Sequence, residues 1–275
     1  VVIGTNQNPY SECKVDELLN EGGFLARRRT GGGAVYHDLG NLNFSFVADK
    51  EIYDVKRQMT VIQKALLNYG LETEVSGRND ITYQGRKFSG NAFAKTKHQG
   101  LHHGTILIKT DGEKLQRYLK VKPAKLHKHG VKSVASRVIN LSEVADITSE
   151  NIIPHLIKAF EEVYQSKAKT IDFNELCSDE VVRQSQYIGS DEYLYGKWKE
   201  FNTKKNATFD WGSVEIDIDI DENKGIIKNI NIASDSLDPA SINLAIEILK
   251  DASIHDKPIF PKDNIIVRDI VEMIY

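Results

Sequence analysis

The chain has 275 residues, 40% hydrophobic and 27% charged, with a formal net charge of −3: the balance of a soluble globular protein with one large domain, or a large and a small one. So small a net charge gives no general field toward nucleic acid or an acidic membrane, and no apolar run approaches membrane-spanning length. Cys13 and Cys177 lie far apart with no CxxC spacing, which argues against a disulfide framework or zinc site and for a reducing compartment, the cytoplasm by default.

Val1 to Gly4 reads as a buried strand and Thr5-Asn6-Gln7-Asn8-Pro9 as the loop leaving it. A chain that opens inside such a strand, without an initiator Met, is expected to lack an N-terminal portion. Phe24 to Arg27 and Ala34 to His37 read as short strands flanking Gly31, Gly32 and Gly33. Leu42, Phe44 and Phe46 alternate with Asn43, Ser45 and Val47, the period of a half-buried strand. Asp54 can cap a helix whose apolar positions are Val55, Met59, Ile62, Leu66 and Tyr69, ended by Gly70. Strands are expected at Leu71 to Val75, Ile81 to Tyr83, Arg86 to Phe93 and Leu101 to Ile108, with Gln84-Gly85 as a tight turn. Glu113 to Lys120 reads as a short helix, followed by an exposed basic stretch to Lys132.

Thr148 to Gln165 places Ile152, Leu156, Ala159, Phe160 and Val163 on one helix face. Ser166 to Asn206 is polar and turn-prone, and is read as domain edge and linker. In the tail, Val214, Ile216, Ile218 and Ile220 alternate with Glu215, Asp217 and Asp219. The acidic row is a strand's wet face rather than a calcium site. A turn at Asp221 to Gly225 leads to a second strand, Ile226 to Ile232. Asp238-Pro239 opens a helix, and a final helix spans Asp263 to Met273. The expected fold class is α+β, mixed or antiparallel sheets flanked by helices over residues 1–200. A small β-β-α-α domain follows over 201–275.

Several residues could carry chemistry. Glycine allows close backbone approach, exposed N–H groups can cradle an anion, and arginine offers a permanent cationic fork. Arg27-Arg28-Arg29 followed by Gly31-Gly32-Gly33 therefore points to an anion site, although it matches neither GxxxxGK[ST] nor GxGxxG. Period 2 puts Lys87, Ser89 and Asn91 on one strand face, and Phe88, Gly90 and Ala92 on the other. The small residues around Lys87 leave room for a ligand, but spacing alone favours an exposed lysine. Asp80 could hold Mg²⁺ or simply be a turn residue. His102 and His103 face apart, so one is expected to be a core hydrogen-bonder. His37-Asp38 is discounted as an acid/base pair because adjacent strand residues also face apart. Cys13 and Cys177 lack an obvious base.

RRRTGGGAVYHDLGN closely resembles the signature of lipoate–protein ligases. So do VVIGTNQNPYSEC, GRNDI, GRKFSGNAF, HHGTILI and KSVASRVINL, in the family's order, and TFDWGSVEI resembles the start of that family's accessory domain. The resemblance implies a biotin/lipoate ligase-like catalytic fold with ATP, Mg²⁺ and lipoate. It assigns Arg28 to the nucleotide or lipoyl carboxyl. Gly31, Gly32, Gly33, Ala34, Val35 and Tyr36 would line the ATP and lipoyl-adenylate site, supported by Asn41 and Asn79. Lys87 would be catalytic, bridging the lipoyl carbonyl and the α-phosphate, with Asp80 on Mg²⁺. Ser133, Val134 and Arg137 would belong to a loop closing over the adenylate. The family also carries an opening strand and helix before VVIG that this sequence does not. The implied partners are lipoyl domains of 2-oxoacid dehydrogenase E2 subunits or the glycine cleavage H protein, with the enzyme a monomer. The rivals are a cysteine-dependent octanoyl or lipoyl transferase and a non-catalytic module binding lipoyl-adenylate or a lipoyl domain.

Overall fold

The computed structural model describes residues 1–120, 138–195, 203–221 and 225–275. They fall into two compact units that interleave along the chain. One takes in Val1–Val35, Tyr118–Lys120 and Gln186–Tyr275; the other takes in Tyr36–Arg117 and the described part of Val121–Ser185.

The second unit is built on a five-stranded antiparallel sheet of order β3-β7-β6-β5-β4. Its strands are β3 (Asn41–Asp49), β4 (Glu74–Ser76), β5 (Asp80–Tyr83), β6 (Arg86–Lys95) and β7 (Gln99–Leu107). β3 half-buries Leu42, Phe44 and Phe46 and exposes Asn43, Ser45 and Val47, as its alternation predicts. The side chain of Asp54 caps α3 (Val55–Leu67), and Gly70 beyond its end sits at φ +74°. α5 (Ser149–Tyr164) opens on a reciprocal Thr148/Asn151 capping box. Met59, Ile62, Leu66, Ile81, Phe88, Ile106 and Ile152 form the core beneath the sheet, with Phe44 and Phe46 packed against it. Gln84 and Gly85, both at positive φ, form the two-residue hairpin between β5 and β6. α4 (Gly112–Tyr118) follows β7.

In the first unit, β1 (Val2–Ile3) pairs in parallel with β2 (Ala26–Arg27). The strand expected at Ala34 to His37 is absent: only Val35 pairs, exchanging both backbone hydrogen bonds with Val2. α1 (Pro9–Glu12) and α2 (Val15–Asn20) lie between β1 and β2 in sequence. The tail carries one strand more than its β-β-α-α reading. β8 (Thr203–Phe209) joins β9 (Gly212–Asp221) and β10 (Ile226–Ser234) in an antiparallel sheet. Val214, Ile216 and Ile218 pack with α9 (Pro239–Leu249) and α10 (Ile265–Ile274).

The stretch read as linker is largely helical. α6 (Phe173–Leu176), α7 (Asp179–Ile188) and α8 (Asp191–Tyr195) occupy it. An Asp172/Glu175 capping box starts α6, and Glu180 accepts from Arg183 and Gln184 along α7. Val181, Val182 and Tyr187 of α7 stay exposed.

Candidate functional site

The glycine loop lies in the first unit and is held by its own arginines. Arg27 donates to the carbonyls of Gly4, Thr5 and Gln7 and to those of Tyr193 and Leu194. It therefore ties β2, the loop after β1 and α8 together. Arg28 donates to the carbonyls of Val2 at 3.2 Å and of Gly31 and Gly33 at 2.8 Å each. Burial lowers its pKa to about 10. These acceptors are dipoles rather than carboxylates, so they orient the guanidinium without neutralising it, and a desolvated cation favours an arriving anion.

The three glycines have different neighbours. A Cβ on Gly31 would stand 2.1 Å from the Ser236 carbonyl oxygen, and the Gly32 N–H donates to that same oxygen at 2.8 Å. Gly32 is at φ +96°, where a side chain is strained. Gly33 alone opens onto space, with nothing within 4 Å of where its Cβ would be. Two of the three are therefore spent on fitting the loop to the turn between β10 and α9.

Lys87 and Asp80 lie in the second unit, on the sheet face opposite the helix-packed core. Here the register departs from strict period 2. Ile81 pairs with Ser89 but Thr82 pairs with Lys87, so Phe88 is the extra residue of a β-bulge. The bulge turns Phe88 into the core along with Ser89, leaving Lys87 on the face of Gly90 rather than that of Ser89 and Asn91. Lys87 Nζ lies 2.7 Å from Asp80 Oδ1, and Asp80 is the register partner of Gly90. Both side chains keep about a third of their surface exposed, at 36% and 35%. Asn43, His103 and Thr105 share this face through the β3–β7 register, and the Thr105 hydroxyl accepts from the Gly90 N–H at 3.2 Å.

The buried side of the sheet braces the site. Asn79 and Asn91 donate to each other's carbonyls through their side-chain amides, at 2.6 and 3.0 Å, which ties the residue before Asp80 to β6. The Asn91 amide oxygen faces His102 Nε2 at 2.8 Å, and His102 Nδ1 lies 3.0 Å from Gln58. His102 is the expected core hydrogen-bonder, its pKa pushed down to about 4 by burial and by nearby His103. Asp38 accepts from the backbone N–H groups of Gly40 and Asp111, so its carboxylate holds the loop from Tyr36 to Asn41 rather than acting on His37. Tyr36 and Asn41 are buried, and the Asn41 amide donates to Asn43. Ser133, Val134 and Arg137 lie outside the described residues.

A model of the lipoyl protein ligase A/B catalytic domain matches residues 1–161, and one of the bacterial lipoate protein ligase C-terminus matches 199–259. The chain belongs to the lipoate–protein ligase family. Among its relatives, a lipoate-protein ligase A of Psychrobacter cryohalolentis is 38% identical over 94% of this chain and 78% of its own length. P. falciparum LipL1, solved in complex with lipoate, superposes with a TM-score of 0.83 at 33% identity, covering 98% of this chain and 82% of its own. A lipoate-protein ligase A bound with ATP superposes at 0.60 with 29% identity, covering 71% of this chain and 81% of its own. The catalytic-domain match of this lipoate–protein ligase spans both the glycine loop and Lys87.

For a metal, the described residues hold no group of three or more His, Cys, Asp or Glu placed to bind one. Asp80 could supply one carboxylate. That suits Mg²⁺, which commonly takes one or two protein carboxylates and completes its shell with phosphate oxygens and water. No helix among the described residues is long and apolar enough to cross a membrane.

Proposed function

We propose that this protein activates lipoate with ATP and transfers the lipoyl group to a lysine of lipoyl domains, those of 2-oxoacid dehydrogenase E2 subunits or of the glycine cleavage H protein. The observation that carries the proposal is Lys87, its side chain about one-third exposed and its ammonium held at 2.7 Å by Asp80 on a sheet face of small and polar residues.

In the first step a lipoate carboxylate oxygen attacks the α-phosphorus of ATP, the bond to the β-phosphate oxygen breaks, and pyrophosphate leaves. In the second, the neutral ε-amine of the acceptor lysine attacks the carbonyl of lipoyl-AMP. The C–O bond to AMP breaks, and the amine's proton passes to solvent. Charge grows on the phosphate oxygens in the first step and on the carbonyl oxygen in the second. A preorganised cation aimed at such oxygens lowers each barrier by about 3 kcal/mol or more. Lys87 fills that role. Mg²⁺, with Asp80 as a ligand, would neutralise charge on the leaving pyrophosphate.

Arg28, Gly31, Gly32, Gly33, Ala34 and Val35 bind the nucleotide and adenylate in this proposal, with Tyr36, Asn41, Asn79, Ser133, Val134 and Arg137. The buried Arg28 cation and the open space at Gly33 support that assignment. The catalytic domain is taken as 1–200 and the accessory domain as 201–275, in a cytoplasmic monomer. Cys13 is fully buried and its thiol is pushed up by burial, which disfavours acyl transfer through a thiolate there.

The test is incubation with lipoate and ATP, with pyrophosphate release followed first and lipoylation of an added lipoyl domain second. A chain that acylates the domain without ATP would overturn the adenylate route.

A further inference from the structure

We infer that Gly90 is a positioning residue for Lys87, the slot in which the catalytic lysine lies; this rests on the function proposed above. From sequence, the small residues after Lys87 look like room for a ligand. The bulge at Phe88 changes what they make room for. Inserting one residue between Lys87 and Ser89 reverses the alternation, and the lysine side chain lies back across its own strand over Gly90. A Cβ at Gly90 would stand 2.9 Å from Lys87 Nζ and 3.0 Å from its Cε. Real Cβ atoms are almost never that close to a neighbouring heavy atom.

Each neighbour of the slot constrains the ammonium. Asp80, opposite Gly90 in the register, draws Nζ to 2.7 Å from its carboxylate. Thr105, on the next strand, accepts the Gly90 N–H at 3.2 Å and lies 3.9 Å from where the Cβ would be. The Lys87 carbonyl accepts from the Ile139 N–H, which anchors the lysine backbone from the other side. With the lysine backbone pinned and Asp80 drawing Nζ to 2.7 Å, the ammonium occupies the space left by the absence of a side chain at position 90.

The same geometry makes the test clean. Gly90 has no positive φ, so alanine is tolerated by its backbone. The atoms a methyl group would meet first are the free end of a flexible side chain. The cheap relaxation is therefore to move the ammonium, which leaves the fold intact and misplaces the charge. A misplacement of about 1 Å at a reacting centre costs on the order of 100-fold in rate, and a smaller one less.

Wild type, Gly90→Ala and Gly90→Ser are compared by steady-state pyrophosphate release with lipoate and ATP, and by thermal denaturation. The inference expects kcat to fall about tenfold to hundredfold in both variants. KM for ATP and for lipoate should stay within about twofold, and the thermal midpoint within about 2 °C. An unchanged kcat overturns it. So does a loss carried by KM, or by unfolding, because either means that something other than the lysine end has moved. Absence of pyrophosphate release in the wild type would instead sink the functional proposal, so the two failures are told apart.

Discussion

His102 offers the most direct test of how the sheet is held. It is fully buried, 2.8 Å from the Asn91 amide oxygen and 3.0 Å from Gln58. The Asn91 amide nitrogen is committed to the Asn79 carbonyl and Ser89 Oγ. Its oxygen therefore faces the ring; the Gln58 atom 3.0 Å from Nδ1 is also an oxygen, Oε1, so a neutral ring protonated on Nε2 requires the Gln58 amide reversed, its nitrogen toward Nδ1. The folded pKa of about 4 lies below the unfolded value near 6.5. The unfolded chain then binds the extra proton more tightly, so the stabilisation is fully present above pH 6.5 and is lost as pH falls from there toward 4. The linkage relation gives a loss of about 2 kcal/mol by pH 5 and about 3 kcal/mol by pH 4. Urea denaturation of wild type and His102→Leu at pH 7.5 and pH 5 isolates the effect, because the carboxylates titrate alike in both. The variant should be less stable at pH 7.5 by about 1–3 kcal/mol for each amide left unpaired. The gap should narrow by about 2 kcal/mol at pH 5. An equal gap at both pH values would refute a neutral, desolvated His102.

Lys87→Ala should reduce pyrophosphate release at least about 100-fold while circular dichroism stays unchanged, since the side chain, over a third exposed, lies outside the core. Gly31→Ala drives a methyl group to 2.1 Å from a backbone oxygen that cannot swing aside; a destabilisation of about 1–3 kcal/mol in chemical denaturation is the expected result. Asp38→Ala leaves the Gly40 and Asp111 N–H groups without their acceptor, at a cost of about 1–3 kcal/mol that thermal denaturation would read.

Elements with strong periodicity were legible in the sequence. The alternation of β3, the Asp54-capped α3 and the Asp238-Pro239 start of α9 stand where local residues put them. What could not be read depended on partners distant in sequence. Val35 has strand character but only Val2 to pair with, so no strand extends from it. α7 is short, and its apolar residues stay in solvent, so no core contact supports it. At the candidate site, the lysine and its aspartate were both visible as residue types. Their contact was not, because a bulge is an extra residue measured against a neighbouring strand, and one strand's sequence does not state its partner's register. Burial of His102 rather than His103 was equally a matter of which face meets α3.

The turn that meets the glycine loop has a consequence for anyone cutting this gene. Serine side chains brace it: Ser234 Oγ receives the Ser236 N–H, and Ser236 Oγ receives that of Asp238. A second strut, the Ser234 N–H on the Asn6 carbonyl, fastens it to the loop after β1. A fragment ending before β8 would keep every arginine and glycine of the signature yet strip away the surface against which Gly31 and Gly32 are moulded. Such a truncation amputates part of the loop's mould, and its inactivity would say little about the chemistry of the residues left behind.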